Sequence, residues 1–369
     1  MTSTISSAQH EITDLLVLEG DGIGPEITAA TLTVLKAADE AFGLNLRFNH
    51  AEIGLRSLAK VGTTFPAGVL ERARAAHGII LGPVSHNDYP SVAEGGINPS
   101  GYLRKHLDLY ANIRPARSRP AFPPRCGVPF DLVVVRENTE GFYSDRNMFS
   151  GGGEFMPTED LALAIRKVSR KASIRIAESA FALAIRRRRK VTAVHKANVL
   201  RQSDGLFLSC VREVAARHPE VEYEEQIVDA MAALLVRDAS QFDVILTTNM
   251  FGDILSDQAS EISGSLGLAA SINAGENIAA AQAQHGSAPG IAGKDIANPS
   301  SLIGSAAMLL DWLGERRSNQ RFKAAAVAIE KAIDLTIADP ESRTLDMGGS
   351  LGTAAFTDRI VANLISAAR

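Results

Sequence analysis

The feature that most constrains the fold of this chain is the alternation of short apolar runs with longer segments of helical period. Apolar runs occur at 15–20 (LLVLEG), 78–82 (GIILG), 131–137 (DLVVVRE), 190–198 (KVTAVHKAN) and 242–249 (FDVILTTN). Such an alternation is typical of buried parallel strands joined by helices. The sequence therefore predicts an α/β fold in which helices flank a central sheet.

The first apolar run leads into a glycine-rich turn, GDGIGPEI. A dinucleotide-binding turn has the spacing G-x-G-x-x-G. Gly20 and Gly22 fit that spacing, but Pro25 occupies the position of the third glycine. A proline is tolerated in the first turn of a helix because its missing N–H would have no partner there. The segment predicts a strand, a tight turn and a helix, and leaves open whether the turn holds a phosphate.

Composition excludes several classes of protein. A chain of 369 residues with 46% hydrophobic content can fill two lobes. A net charge of −4 gives no overall attraction to nucleic acid or to an anionic membrane. Cys126 and Cys210 form no C-x-x-C pair, and no signal peptide or long apolar run is evident. These features predict a cytoplasmic protein that binds neither nucleic acid nor membrane.

Residues 157–190 carry the longest helical pattern. The segment opens with PTED, a helix start signal, and places Leu161, Ile165 and Val168 on one face. It ends in the basic run RRRRK at 186–190. We interpret that run as solvated cations at a helix C-terminus, where they complement the helix dipole, rather than as a nucleic-acid patch.

Three arginines lie at the edges of predicted elements: Arg104, Arg114 and Arg136. A guanidinium group can donate two parallel hydrogen bonds to a carboxylate or a phosphate. Each arginine could also be an ordinary surface ion pair. Their shared position at element ends makes a common anion site worth testing.

The segment TTNMFGDILSDQASE follows a predicted strand and should begin a helix, which puts Asp253 and Asp257 at i and i+4 on one face. Like charges at this spacing repel, and a divalent cation would convert the repulsion into ligation. Asp229 is a third candidate ligand. Solvated acids near a helix N-terminus are the alternative interpretation.

Tyr143 and Lys196 are candidate proton carriers, since both follow predicted strand ends, where sites of α/β proteins tend to form. The segment QHGSAPGIAGKDIANP at 284–299 has no hydrophobic periodicity and is rich in small residues. Such residues let a ligand approach the backbone, and long irregular segments inside a domain are usually functional or disordered.

Taken together, six ordered motifs resemble the β-decarboxylating dehydrogenases, the family of isocitrate, isopropylmalate, homoisocitrate and tartrate dehydrogenases. The motifs are GDGIGPEI, LRKHLDLYANIRP, RENTEGFYS, HKANVLRQSDGLF, NMFGDILSD and HGSAPGIAGKDIANP. The resemblance implies a two-lobed, isopropylmalate dehydrogenase-like fold, distinct from the Rossmann fold, with a mixed central sheet. It implies a large cofactor-binding lobe at 1–109 plus 264–369. The small lobe, at 110–263, would carry the metal and catalytic residues and the homodimer interface.

The resemblance also implies a role for each candidate residue. Lys196 would take the proton of the substrate hydroxyl, and Tyr143 would protonate the enol left by decarboxylation. Lys196 and Asp229 would complete the site of the neighbouring subunit. Substrate would contact Arg104, Arg114, Arg136, Asn98, Ser100 and Asn198. Mg²⁺ or Mn²⁺ would be held by Asp229, Asp253 and Asp257. NAD, with NADP left open, would contact His285, Gly286, Ser287, Ala288, Gly290, Ile291 and Asn298.

The chain departs from the family pattern in two places, the first of which bears on the choice of cofactor. Gly290 stands where NAD-dependent members carry an acid, and AAAQAQHG replaces the common phenylalanine, glutamate and proline before the histidine. Asn98 and Ser100 lie in the segment expected to face the variable group of the substrate, where burying an isopropyl group against polar atoms would be costly. We therefore predict oxidative decarboxylation of isocitrate or homoisocitrate. The alternatives are 3-isopropylmalate dehydrogenase and a non-catalytic regulatory subunit of the same fold.

Overall fold

The computed structural model describes residues 12–120, 123–143, 148 and 151–368. Ser144, the last residue of the RENTEGFYS motif, lies outside the described residues. The strands are β1 (Thr13–Leu18), β2 (Leu46–His50), β3 (Gly78–Leu81), β4 (Ala111–Arg117), β5 (Asp131–Glu137), β6 (Glu154–Thr158), β7 (Leu161–Ala164), β8 (Lys190–His195), β9 (Glu222–Ile227), β10 (Val244–Thr247), β11 (Ile272–Ala274) and β12 (Ala279–Gln282). The α-helices are α1 (Gly24–Phe42), α2 (Gly54–Val61), α3 (Val69–Ala75), α4 (Pro99–His106), α5 (Arg170–Ile185), α6 (Ser203–Ala215), α7 (Val228–Asp238), α8 (Asn249–Ser263), α9 (Ser300–Arg316), α10 (Gln320–Ala338) and α11 (Thr353–Ala368).

Within the described residues, ten strands form one sheet in the order β2-β1-β3-β12-β11-β4-β5-β10-β8-β9. The pairs on either side of the centre are parallel, whereas β12–β11, β11–β4 and β4–β5 are antiparallel. The sheet therefore consists of two parallel halves that run in opposite directions and meet at β11 and β4. The five apolar runs of the sequence form β1, β3, β5, β8 and β10, which confirms the predicted α/β fold with a mixed sheet.

Helices cover the sheet, and the described residues form four apolar cores, of which the two largest are as follows. In one core, Leu15 and Val17 of β1 pack with Leu302 of α9 and Phe356 of α11, all fully buried. In the other core, side chains of β5 and β10 pack with α5 and α6 around Phe181. The lobe boundaries at 109/110 and 263/264 stay a prediction.

The helix predicted over 157–190 is wrong in its first part. Residues 154–164 form the antiparallel hairpin of β6 and β7, here called the arm, and α5 begins only at Arg170. The side chain of Ser169 caps α5 by accepting a hydrogen bond from the Ala172 amide at 3.2 Å. Leucines at 161 and 163 recur with the two-residue period of a strand, which the four-residue spacing from Leu161 to Ile165 had concealed.

The basic run at 186–190 also makes more contacts with the protein than the sequence predicts. Arg187 donates to Asp243 at 2.8 Å and to Asp131 at 2.9 Å. Arg188 donates to the backbone carbonyl of Asp131 at 2.8 Å. These cations follow the end of α5, as expected, but they tie α5 to the sheet instead of facing only solvent.

The glycine-rich turn after β1 has a structural purpose. Gly20 and Gly22 both have positive φ, and a Cβ added to Gly22 would lie 2.0 Å from the backbone oxygen of Ser287. The amide of Asp21 donates to Pro83, and the amide of Ile23 donates to Ser287, each at 2.8 Å. These two amides therefore have protein acceptors, and the turn positions the start of the 284–299 loop.

Candidate active site

A cleft of about 730 Å³ brings together side chains from both halves of the sheet. Its walls come from α4, β4, β5, α8, β12 and the start of the 284–299 loop. Of the residues predicted from the sequence, the cleft is lined by Asn98, Ser100, Arg104, Arg114, Arg136, Tyr143, Asp253, His285 and Gly286. The cleft is therefore strongly cationic, with one carboxylate among three arginines.

Arg136 lies near the end of β5 and is 1% exposed. Its Nε donates to Asn249 at 2.8 Å, its Nη2 donates to the Tyr143 hydroxyl at 2.6 Å, and its Nη1 pairs with Asp253. All of these partners are held on α8 or the segment after β5. The guanidinium is thus fixed in orientation before any ligand binds.

Arg114 is a buried residue in the middle of β4, not at the edge of an element as the sequence suggested. Its Nη1 donates to Asp257 at 3.1 Å and to Ser256 at 2.8 Å, and it lies 3.2 Å from Asp253. Burial, reinforced by the charge of Arg136, lowers the pKa of Arg114 to about 10. The two aspartates offset part of that effect, and the side chain remains a cation at neutral pH.

Asp253 and Asp257 lie one turn apart on α8, as predicted, and an oxygen of each forms an ion pair with the same nitrogen of Arg114, at 3.2 and 3.1 Å. Burial acts to raise the pKa of Asp253, but the charges of Arg136 and Arg114 outweigh it and hold that pKa below its ordinary value. Two neighbouring carboxylates are a suitable donor set for a divalent cation. In the part of the chain that the structure describes, no third His, Cys, Asp or Glu side chain joins them.

The Tyr143 hydroxyl lies between a cation and an anion. It accepts from Arg136 and donates to Asp253 at 3.1 Å. Burial raises the pKa of Tyr143 and Asp253 adds to the effect, while Arg136 opposes it. The hydroxyl is consequently protonated at neutral pH and can supply a proton in the cleft.

Lys196 and Asp229 form a separate pair outside the cleft. Lys196 follows β8, as predicted, and its Nζ bonds to Asp229 in the first turn of α7. That hydrogen bond lowers the pKa of Asp229, whose side chain is 68% exposed. Asn198 is exposed in the turn after β8. None of these three residues lines the cleft of its own chain.

The 284–299 loop is irregular apart from one short turn. The Ser287 hydroxyl lies 2.8 Å from that of Ser85, whereas Asn298 donates to Asp346 at 3.0 Å. In the described chain, Nε2 of His285 is buried with no hydrogen-bond partner, and burial lowers the pKa of this histidine. A buried polar atom without a partner, next to exposed Gly286, fits a polar ligand such as a nucleotide.

Two glutamines were not proposed as site residues from the sequence. Gln284 donates from Nε2 to Asp257 at 2.8 Å and to Ser260 at 3.2 Å. Gln282 accepts from Ser100 at 3.0 Å and from Arg104 at 3.2 Å. The available signal was two amides in the alanine-rich segment AAAQAQ, where buried polar side chains need partners.

A sequence profile of the isocitrate/isopropylmalate dehydrogenase family matches residues 14–360. The chain belongs to this family. Isocitrate/homoisocitrate dehydrogenase of Thermus thermophilus is 44% identical over 353 residues, which cover 95% of this chain and 98% of that protein. 3-Isopropylmalate dehydrogenase of Sulfurisphaera tokodaii is 40% identical over 337 residues, which cover 91% and 95% of the two chains.

A solved structure supports the same assignment. Isocitrate dehydrogenase from Methylococcus capsulatus aligns with a TM-score of 0.85 and 39% identity, over 96% of this chain and 99% of that chain. The isocitrate/isopropylmalate dehydrogenase fold predicted from the motifs is therefore confirmed, and the protein is an oxidoreductase, a decarboxylating dehydrogenase that acts on a hydroxy acid. Within the described residues, every helix is too short or too polar to span a bilayer.

Proposed function

We propose that this enzyme oxidises and decarboxylates a 2-hydroxy acid that carries a carboxylate-bearing substituent on its third carbon, of the isocitrate or homoisocitrate type. The observation that carries the proposal is the polarity of the cleft around α4 and β12. In that part of the cleft, the wall beside Arg104 is formed by Asn98, Ser100 and Gln282. An apolar substituent would cover the amide N–H groups of Asn98 and Gln282 and offer them no acceptor, at a cost of about 1–3 kcal/mol each.

The arginines supply substrate binding. Arg114 and Arg136 are held by α8, and Arg104 is held by Gln282, so three guanidinium groups converge on one cleft. In our proposal they bind the two carboxylates common to substrates of this family. Preorganised cations also stabilise the negative charge that develops when CO₂ leaves.

The residues present fit a divalent cation and a nicotinamide dinucleotide. Asp253 and Asp257 would hold Mg²⁺ or Mn²⁺, and the 284–299 loop, with its unpartnered His285 Nε2, would hold NAD. When bound, NAD accepts the hydride from C2 and the cation polarises the oxygen on C2. We favour NAD over NADP because Gly290 and Ile291 provide no cation for a 2′-phosphate.

Two proton carriers complete the proposed reaction. Lys196, once freed from its bond to Asp229, takes the proton of the C2 hydroxyl as the hydride leaves. The bond from the third carbon to its carboxylate then breaks, CO₂ departs, and the electron pair forms an enolate, with a double bond between C2 and C3 and the negative charge on the C2 oxygen. Tyr143, held protonated in the cleft, returns a proton to the third carbon.

We further propose that a second copy of the chain supplies Lys196, Asn198 and Asp229. The support is that these residues lie outside the cleft that holds the other half of the site. The arm supports the same proposal. Its apolar side chains are solvent-exposed in the single chain, at 46% for Phe155 and 44% for Leu163. A two-stranded hairpin with exposed apolar side chains is only marginally stable by itself, and it becomes more stable when another surface covers those side chains.

Further parts of the proposal follow from sequence and family. We place the enzyme in the cytoplasm and assign 1–109 plus 264–369 to the cofactor lobe and 110–263 to the small lobe. The alternative of a non-catalytic regulatory subunit is disfavoured because the arginines, aspartates, tyrosine and lysine of the predicted site are all present. 3-Isopropylmalate remains the competing substrate.

A steady-state assay tests the proposed function. Reduction of NAD or NADP is followed with Mg²⁺ for isocitrate, homoisocitrate, 3-isopropylmalate, malate and tartrate. The proposal predicts the highest kcat/KM for isocitrate or homoisocitrate with NAD. A preference for 3-isopropylmalate would contradict the substrate assignment, and no turnover with any pair would favour the regulatory alternative.

A further inference from the structure

Arg166 lies just beyond the arm and is almost entirely buried. Its side chain is 8% exposed, and its guanidinium pairs with Asp204, which is fully buried in the first turn of α6. A buried carboxylate needs a counter-charge and hydrogen bonds to compensate for its lost hydration. Among the described residues, Arg166 is the one cation within ion-pairing distance of Asp204. The burial of Asp204 therefore depends on Arg166.

Asp204 connects this ion pair to the residue proposed as the base. One oxygen of Asp204 faces Arg166, and the other accepts a hydrogen bond from the backbone amide of Lys196 at 2.6 Å. The carbonyl of Lys196 in turn accepts from the amides of Val199 and Leu200, at 2.9 and 2.8 Å. Both backbone groups of Lys196 are thus held, and Arg166 acts on one of them through Asp204.

Arg166 also contacts the start of α8. Its Nη2 donates to the hydroxyl of Thr248 at 3.0 Å, and its Nη1 donates to the hydroxyl of Ser203 at 2.9 Å. Phe251 of α8 lies beside the guanidinium, with its ring centre 5.4 Å from the central carbon of that group. One guanidinium therefore links α8 to the turn that carries Lys196.

The residues next to Arg166 in the sequence are held by the backbone. The amide of Ile165 donates to the carbonyl of Gly153 at 2.7 Å, which closes the base of the arm. Lys167 and Gly141 exchange two backbone hydrogen bonds of 2.9 Å. Arg166 consequently lies at a fixed point between the arm and the segment after β5. It lies outside the cleft of its own chain, unlike the three arginines proposed to bind substrate.

We propose that Arg166 is a positioning residue for the oxidation step, and that it acts by holding, through Asp204, the turn that presents Lys196. The inference rests on the proposed function, in which Lys196 takes the proton of the C2 hydroxyl. Without Arg166, Asp204 loses its counter-charge and its fixed orientation, so the amide of Lys196 loses a fixed acceptor. A displacement of about 1 Å can slow a reaction about a hundredfold. Decarboxylation and protonation by Tyr143 do not use Lys196, so these steps should be spared.

The test separates the oxidation from the steps that follow it. Oxalosuccinate, the keto acid that isocitrate yields on oxidation, already has a carbonyl group at C2 and needs no proton removal there. We expect Arg166→Met to lower kcat/KM for the oxidation of isocitrate at least tenfold, equivalent to about 1.4 kcal/mol. Decarboxylation of added oxalosuccinate, followed by CO₂ release above the uncatalysed rate, should change less than about threefold.

Three further variants accompany Arg166→Met. Lys196→Ala should lose oxidation and keep decarboxylation in the same way, since it removes the group that Arg166 positions. Arg212→Met, the matched control, breaks an exposed ion pair with Glu225 on α6 and should leave both rates at wild-type values. Arg166→Lys decides the matter if circular dichroism shows Arg166→Met to be unfolded. It keeps a charge beside Asp204 without the planar fork, so oxidation alone should fall about threefold or more.

Unchanged oxidation, or equal losses of oxidation and decarboxylation in a folded variant, would overturn the positioning role of Arg166. A variant that sediments as a smaller assembly than the wild-type enzyme would overturn it too, because the loss would then come from assembly. In each of these cases, wild-type turnover of isocitrate and loss of oxidation in Lys196→Ala would still uphold the proposed function. Full oxidation by Lys196→Ala, or a wild-type enzyme that acts on neither isocitrate nor homoisocitrate, would overturn both.

Discussion

The arginine–aspartate cluster of the cleft and the Lys196–Asp229 pair are both ion pairs of predicted site residues, but their surroundings differ sharply. Arg114 and Arg136 are 6% and 1% exposed, and each is fixed by several partners. The Lys196 side chain bonds to Asp229, whose side chain is 68% exposed.

The difference supports the proposal that two chains share the site. Buried charges persist only where hydrogen bonds and counter-charges compensate their lost hydration, and the cleft meets that requirement internally. An exposed pair contributes little to stability, which is consistent with the proposal that Lys196 and Asp229 act in an assembly. The cleft is accordingly organised before binding, and we propose that a second copy of the chain covers the exposed pair.

The largest expected effect comes from a substitution in the arginine–aspartate cluster of the cleft. Asp253→Asn removes a carboxylate of the proposed cation site and the counter-charge of Arg114 and Arg136. We expect kcat/KM to fall more than about a hundredfold with saturating Mg²⁺. Asp358→Asn, exposed on α11, is the matched control and should behave as wild type. Retained activity in Asp253→Asn would show that this cluster is only structural.

An intermediate effect is expected from a substitution in the arm, at the proposed interface between two copies of the chain. Leu163→Asp places a charge on the arm, where we propose that a second copy packs. Sedimentation should show monomers, and activity should fall about tenfold or more, since a desolvated unpaired charge costs several kcal/mol at an interface. Leu335→Asp, on α10 with a similar 47% exposure, should leave both properties unchanged. A fully active monomer would contradict the shared site.

The smallest effect concerns acid stability. The native pKa of Asp253 is held below its ordinary 3.8, so the ionised group favours folding above that pH, and the contribution is lost as pH falls through the native pKa. Chemical denaturation at pH 7 and pH 3 should therefore show that Asp253→Asn destabilises the protein more at pH 7. The difference should be below about 1 kcal/mol, because the side chain is over a third exposed and solvent screens it. An equal effect at both pH values would remove the electrostatic explanation.

The same comparison shows what the sequence could predict. Strands such as β5 and β10 were readable because they are short apolar runs, and the spacing of Asp253 and Asp257 follows directly from helical geometry. The arm was missed because an exposed hairpin lacks the burial that gives a strand its usual pattern. Arg114 was expected at an element edge because the prolines near it hid the strand β4.

Contacts between distant segments were beyond sequence reasoning. The place of Gln282 in the cleft is evident only from its hydrogen bonds with Ser100 and Arg104, which lie 182 and 178 positions away in the sequence. The separation of Lys196 from the cleft is likewise invisible in a linear motif. Six motifs identified the family, but only the fold shows which of their residues meet in one chain.

The most direct test of a site shared between two chains is complementation. Tyr143→Phe and Lys196→Ala homodimers, each of low activity, are mixed under conditions that allow subunit exchange, and formation of mixed dimers is verified by native mass spectrometry. Random pairing makes half of the dimers mixed, and each mixed dimer rebuilds one of its two sites, so about a quarter of wild-type activity should return. Mixed dimers without recovered activity would contradict the account, because Tyr143 and Lys196 would then act within the same chain.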